Sequence, residues 1–133
     1  MGTNIVGYIE INSIKESGED IWFEITKIDV VAERNYKIFG NLFGIRLETG
    51  VNALAASRGV PRGTSNSNTL SCKSDTFVGH TWANWRELKL AKNLIYSYPE
   101  SSGWGFIFDS MEMLSKKYGE ENVRLVVAFD NYG

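Results

Sequence analysis

The stretch "RGVPRG" places two Arg-Gly pairs, Arg58-Gly59 and Arg62-Gly63, on either side of Val60-Pro61. A guanidinium offers a planar fork of donors that matches phosphate or carboxylate, and glycine amides beside it add to an anion nest. Pro61 fixes its own φ and pushes Val60 toward extended geometry, so the segment reads as a shaped turn that aims its arginines. Arg62 and Gly63 are the first candidates for an anion contact and Arg58 the second. The competing reading is that both side chains point into water, as in most Gly/Ser/Asn-rich loops.

A second pair of arginines brackets the segment "NYKIFGNLFGI". Tyr36, Phe39, Leu42, Phe43 and Arg46 or Leu47 fall at helical spacing, and Asn35 can cap the first turn. A guanidinium on that apolar stripe must snorkel, pair with a carboxylate or line a pocket. Asp130, beside Asn131 at the end of the last strand, is the natural carboxylate for Arg46. A structural pair and a ligand role both stay open. Gly40 and Gly44, four apart, imply either close backbone packing or ligand contact.

His80 and Thr81 stand before Trp82 and a helix start, where unpaired N–H groups and the helix dipole favour anions. A triad of Ser65 or Ser67, His80, and Asp75 or Asp130 can be drawn on paper. No G-x-S-x-G elbow supports it, and P-loop, dinucleotide-binding and zinc-protease motifs are missing from the sequence. No residue is therefore assigned as catalytic, and no cofactor is expected. A buried structural histidine is the competing reading for His80. Trp82, Trp85, Trp104 and Tyr36 could stack on a base, but aromatics at helix or strand spacing usually fill the core.

The elements that must position these residues follow from periodicity. Asn4 to Asn12 alternates as a strand, "KESGED" is a turn, and "IWFEITKIDVVA" completes an antiparallel hairpin. The helix after Asn35 comes next, then a long loop over about 48–75, then a short strand through "DTFVGHTW". Asn84 and Glu87 form a capping box before a helix through Tyr96. "SYPESSGWG" breaks that helix, and Ile107, Met111, Leu114 and Tyr118 mark another, stopped by Gly119. "NVRLVVAFDN" is apolar on both faces and belongs in the middle of a sheet. The order ββα-loop-βααβ predicts one α+β domain over 1–133, with an antiparallel or mixed sheet and helices mainly on one face.

Composition narrows the function classes. With 14 basic and 16 acidic side chains among 133 residues the net charge is −2, so no general affinity for nucleic acid or anionic membrane is expected. One cysteine, Cys72, and one histidine leave no disulfide and no Cys/His zinc cluster. No apolar run approaches the length of a membrane span. A reducing cytoplasm fits this usage. The N-terminal edge strands make a homo-oligomer an expectation as well.

Taken together, "RNYKIFGNLFGIR", "PRG", "GHTWANWREL" and "VRLVVAFDN" resemble a family of small bacteriophage and prophage proteins. That family carries an R-N-Y step before a helix, a P-R-G loop, a G-H-S step before a short helix, and a closing strand ending F-D-N. The matching positions are Arg34, Asn35, Tyr36, Arg46, Pro61, Arg62, Gly63, Gly79, His80, Phe129, Asp130 and Asn131. Thr64, Ser65 and Thr81 depart from the pattern. The resemblance implies a phage accessory protein working in the cytoplasm of the infected bacterium. Joined to the site chemistry, it leads to the expectation of a binder that sequesters a phosphorylated cyclic nucleotide immune signal. The alternatives are a protein-interaction module that inhibits a host or phage protein, and a small phosphate-directed hydrolase using His80.

Overall fold

Val123, Leu125, Val127 and Phe129 alternate with Arg124, Val126 and Ala128, and all seven are buried. Burial on both sides follows from position. The computed structural model, which describes residues 2–12, 21–46, 50–64 and 77–130, sets β4 (Val123–Asp130) inside a four-stranded sheet of order β2-β1-β4-β3. β1 (Asn4–Asn12) pairs antiparallel with both β2 (Trp22–Lys27) and β4, and β3 (Phe77–Asn84) closes the other edge, also antiparallel. The turn "KESGED" lies outside the described residues.

The helices cover one face. Ile5, Ile9 and Ile11 of β1 join Val123, Leu125, Val127 and Phe129 in a core with Phe39, Phe43, Trp104, Phe108 and Met111. Phe39 meets Phe129 and Trp104 edge-on, with centroids 5.3 Å and 6.4 Å apart. The opposite face carries a smaller cluster of Tyr8, Val126 and Ala128, with Val6, Phe77 and Trp82 against it. The protein is thus an α+β fold, as its periodicity predicts.

Local chemistry sets the helix boundaries, and three differ from the sequence expectation. α1 (Tyr36–Phe43) starts at Asn35, whose side chain accepts from the Lys37 and Ile38 amides. It ends at Phe43, three residues short of Arg46, with Gly44 as the C-cap in left-handed geometry (φ 76°) and Ile45 N–H donating back to Phe39 O. Arg46 therefore lies beyond the helix, itself at φ 53°, and not on the apolar stripe. A Cβ on Gly44 would fall 2.8 Å from Ala56 Cβ, so this glycine serves close packing of the following loop.

The helix expected through Tyr96 divides into α2 (Trp85–Leu88), a 3₁₀ turn (Lys89–Ala91) and α3 (Lys92–Tyr96). The Asn84–Glu87 capping box is present as read. α4 (Ser102–Tyr118) begins inside the segment expected to be a break, and takes Gly103 and Gly105 into its first turns. A Cβ on Gly103 would sit 1.6 Å from the Val31 carbonyl oxygen, so the chain after β2 packs directly on this helix. Gly119 ends α4 as expected.

Candidate functional site

The two arginines that bracket α1 converge on one short segment. Before the helix, Arg34 Nη2 donates to Asn4 Oδ1 at 2.6 Å, and its guanidinium lies where a Cβ on Gly2 would have to go. After the helix, Arg46 Nε donates to Thr3 Oγ1 at 3.3 Å while its guanidinium lies 4.4 Å from the centroid of Tyr36. The Tyr36 hydroxyl in turn accepts from the Thr3 amide at 3.1 Å. Both arginines are exposed, whereas Gly2 and Thr3 are buried. Asp130, half-buried, pairs in register with Asn4 and with Phe77 at the same end of the sheet. Two guanidiniums, an aromatic ring and a carboxylate thus share the start of β1. Asn131 lies outside the described residues.

Asn35 stands beside this group but is engaged in the fold. Its Oδ1 caps α1 and its Nδ2 donates to Ser101 Oγ at 3.2 Å, so the first amides of that helix are already satisfied.

Arg58, Thr81 and Trp82 form a second group, which ties the loop to β3. The Arg58 fork grips Glu87 with contacts of 2.8 Å and 2.6 Å, and also reaches the carbonyls of Trp82 and Leu54. Its guanidinium lies 5.2 Å from the Trp82 ring centroid. The hydrogen bond from Arg58 holds the Glu87 carboxyl below its usual range against the opposing effect of burial, with the Asn84 amide and the Arg58 charge adding to it. The same bond raises the Arg58 guanidinium further. Buried Thr81 accepts from the Arg58 amide and donates to Ala55 O at 2.6 Å. Leu54 and Ala55 amides satisfy the Asn41 and Leu42 carbonyls at the end of α1, so this half of the loop is hydrogen-bonded into the fold.

Arg62 and Gly63 lie apart from the first group, on the loop beside Arg124, whereas His80 follows Gly79, which packs close to Ile45. The Arg62 side chain is exposed and, among the described residues, has no hydrogen-bond partner; Gly63 occupies a turn at φ 75°. His80 does not sit at a helix N-terminus, because β3 continues to Asn84 and the capping box fills that end. It lies half-buried at a register shift between Val78 and Thr81, its carbonyl accepting from the Gly59 amide. Ser65, Ser67 and Asp75 of the drawn triad fall outside the described residues.

The most buried charges on the second face escaped the sequence reading. Arg124 donates through Nε and Nη2 to Glu10 Oε1 at 2.9 Å and 2.8 Å, with side-chain exposures of 5% and 0%. Its guanidinium lies 3.7 Å from the Trp22 centroid and 5.9 Å from that of Trp82. The loop closes over this pair, with Thr64 Oγ1 donating to Glu10 Oε2 at 2.7 Å and Arg62 O accepting from Arg124. Opposite charges interrupting two otherwise apolar strands were the available signal. Among the described residues no His/Cys/Asp/Glu group could hold a metal ion, and no helix is long and apolar enough to cross a membrane.

No protein-family model, curated protein or solved structure matches this chain.

Proposed function

We propose that this protein is a non-enzymatic binder of a phosphorylated, nucleotide-like small molecule, held by Arg34 and Arg46 at the start of β1. The observation that supports this reading is that two exposed guanidiniums from opposite ends of α1 reach the side chains of neighbouring residues Thr3 and Asn4, with Tyr36 beside Arg46. Two guanidinium forks suit phosphate oxygens, and an aromatic ring beside one of them suits a base. In the phage setting that the resemblance implies, such binding would serve to sequester a cyclic nucleotide immune signal of the host. Arg58 has no part in this reading, because Glu87 already occupies its fork.

The test is incubation of purified protein with cyclic oligonucleotides and cyclic ADP-ribose isomers, followed by filtration, heating and analysis of what is released. Depletion of a ligand that returns intact supports the binder. Release of an altered product instead supports a hydrolase, with His80 the first residue to substitute.

A second reading, a protein-interaction module, has one observation in its favour. Strand β2, at the edge of the sheet among the described residues, exposes Phe23 (50%) and Ile25 (45%). If that edge recruits a partner strand, Phe23→Lys abolishes capture of the partner from infected cells while leaving ligand depletion unchanged.

A further inference from the structure

Between α3 and the first turns of α4 lies a cavity of about 430 Å³, walled by Tyr96, Tyr98 and Phe106 and bearing the Asp109 carboxylate. Tyr96 and Phe106 are exposed at 51% and 58%. Gly105 forms part of the lining, where a Cβ would come within 3.4 Å of the Tyr96 ring. The Tyr96 hydroxyl donates to Asp109 Oδ1. That bond pushes the Tyr96 phenol up to about 12, with burial and the nearby carboxylates of Asp109 and Glu112 adding to it, so the phenol remains a donor at neutral pH.

The electrostatics of this cleft have one sign. Aromatic faces are negative, Asp109 adds a full negative charge, and neither lysine nor arginine lines the cavity. The nearby Lys92 is committed elsewhere, paired with Glu112 and lying 5.6 Å from the Trp85 centroid. The positive N-terminal end of α4 already has its anion outside the cleft, because the Gly103 amide donates to Glu33 Oε2 at 3.0 Å. A neutral apolar guest would strip water from Asp109 without replacing it, and an anion would meet a like charge. We infer that this cleft binds a small organic cation, an ammonium or methylated ammonium on a short alkyl stem, between the aromatic rings and Asp109.

Choline and a short peptide carrying trimethyllysine are the probes, with 3,3-dimethylbutanol as the neutral isostere of choline. Titrations followed by NMR shifts of the Tyr96, Tyr98 and Phe106 rings should saturate with a cation and not with the isostere. Binding of choline alone points to a free amine, and preferential binding of the peptide points to a side chain of a partner. Asp109→Asn, close in shape, should weaken either by about tenfold. Phe106→Ala removes a mostly exposed ring and should weaken binding while the protein still melts cooperatively. No saturation by either cation, equal affinity for the isostere, or unchanged affinity in Asp109→Asn overturns the assignment.

Discussion

Glu87 serves two structures at once: its carboxylate caps the start of α2 through the Asn84 amide and receives the fork of Arg58. Removing its charge should therefore loosen both the helix start and the loop at Arg58, and Glu87→Gln is expected to cost about 1 kcal/mol near neutral pH. The sign of the pH dependence follows from the lowered carboxyl. Stabilisation from the ionised form is fully present above the usual glutamate value of about 4.3 and is lost as pH falls through the lowered folded value. Denaturant melts of wild type and Glu87→Gln should thus differ most near neutrality and converge in acid. A gap that widens in acid would contradict the assignment. This residue pair was half legible: the Asn84–Glu87 spacing names a capping box, but nothing local says that Arg58 comes to it. Arg46 is a similar case. Its position after Gly44 sends the backbone through φ 53°, and the side chain then turns back onto Tyr36, which helical spacing does not anticipate.

At the scale of elements, α4 tests how closely backbone packs on backbone. Gly103 and Gly105 share one helix turn and differ in what a methyl group would meet, the Val31 carbonyl oxygen at 1.6 Å against the edge of Tyr96 at 3.4 Å. Gly103→Ala should cost about 1–3 kcal/mol through overpacking, whereas Gly105→Ala should gain about 0.5–1 kcal/mol from helix propensity. Thermal melts of the two variants on opposite sides of wild type would bear this out, and equal effects would show that the chain at Val31 yields freely. The sequence assigned these glycines to a break because Pro99 and the two glycines are ordinary punctuation. Tertiary contact reverses that reading, since the glycines admit a neighbouring backbone instead of ending a helix. β4 was legible for the opposite reason: a strand apolar on both faces has few places to go except the interior of a sheet.

For the molecule as a whole, the Glu10–Arg124 pair joins the two central strands and carries the loop above them, across 114 residues of sequence. Such a pair becomes visible only once the β1–β4 register sets Glu10 opposite Arg124. Arg124→Ala leaves a carboxylate buried beside an empty space and should cost about 3–5 kcal/mol. The double variant Glu10→Gln with Arg124→Met should recover much of that loss, and a double-mutant cycle measures the coupling. Additive effects would mean that the two charges do not depend on one another. The same long-range logic explains why the candidate ligand site was legible as a set of residue types and not as a place. Arg34 and Arg46 stood out as a pair, yet both reach a strand end 30 and 43 residues earlier in the chain, while Arg58 was absorbed by the fold.

The central claim is intact capture of a phosphorylated nucleotide by the arginines at the start of β1. The most direct measurement is the equilibrium affinity for the ligand depleted by wild type, repeated with Arg34→Ala and with Arg46→Asn, a residue that tolerates the left-handed backbone there. Each substitution should weaken binding by about 10- to 100-fold while the protein still melts cooperatively and the released ligand remains chemically unchanged. Affinity that survives both substitutions, or a panel of ligands none of which is depleted, would contradict the account.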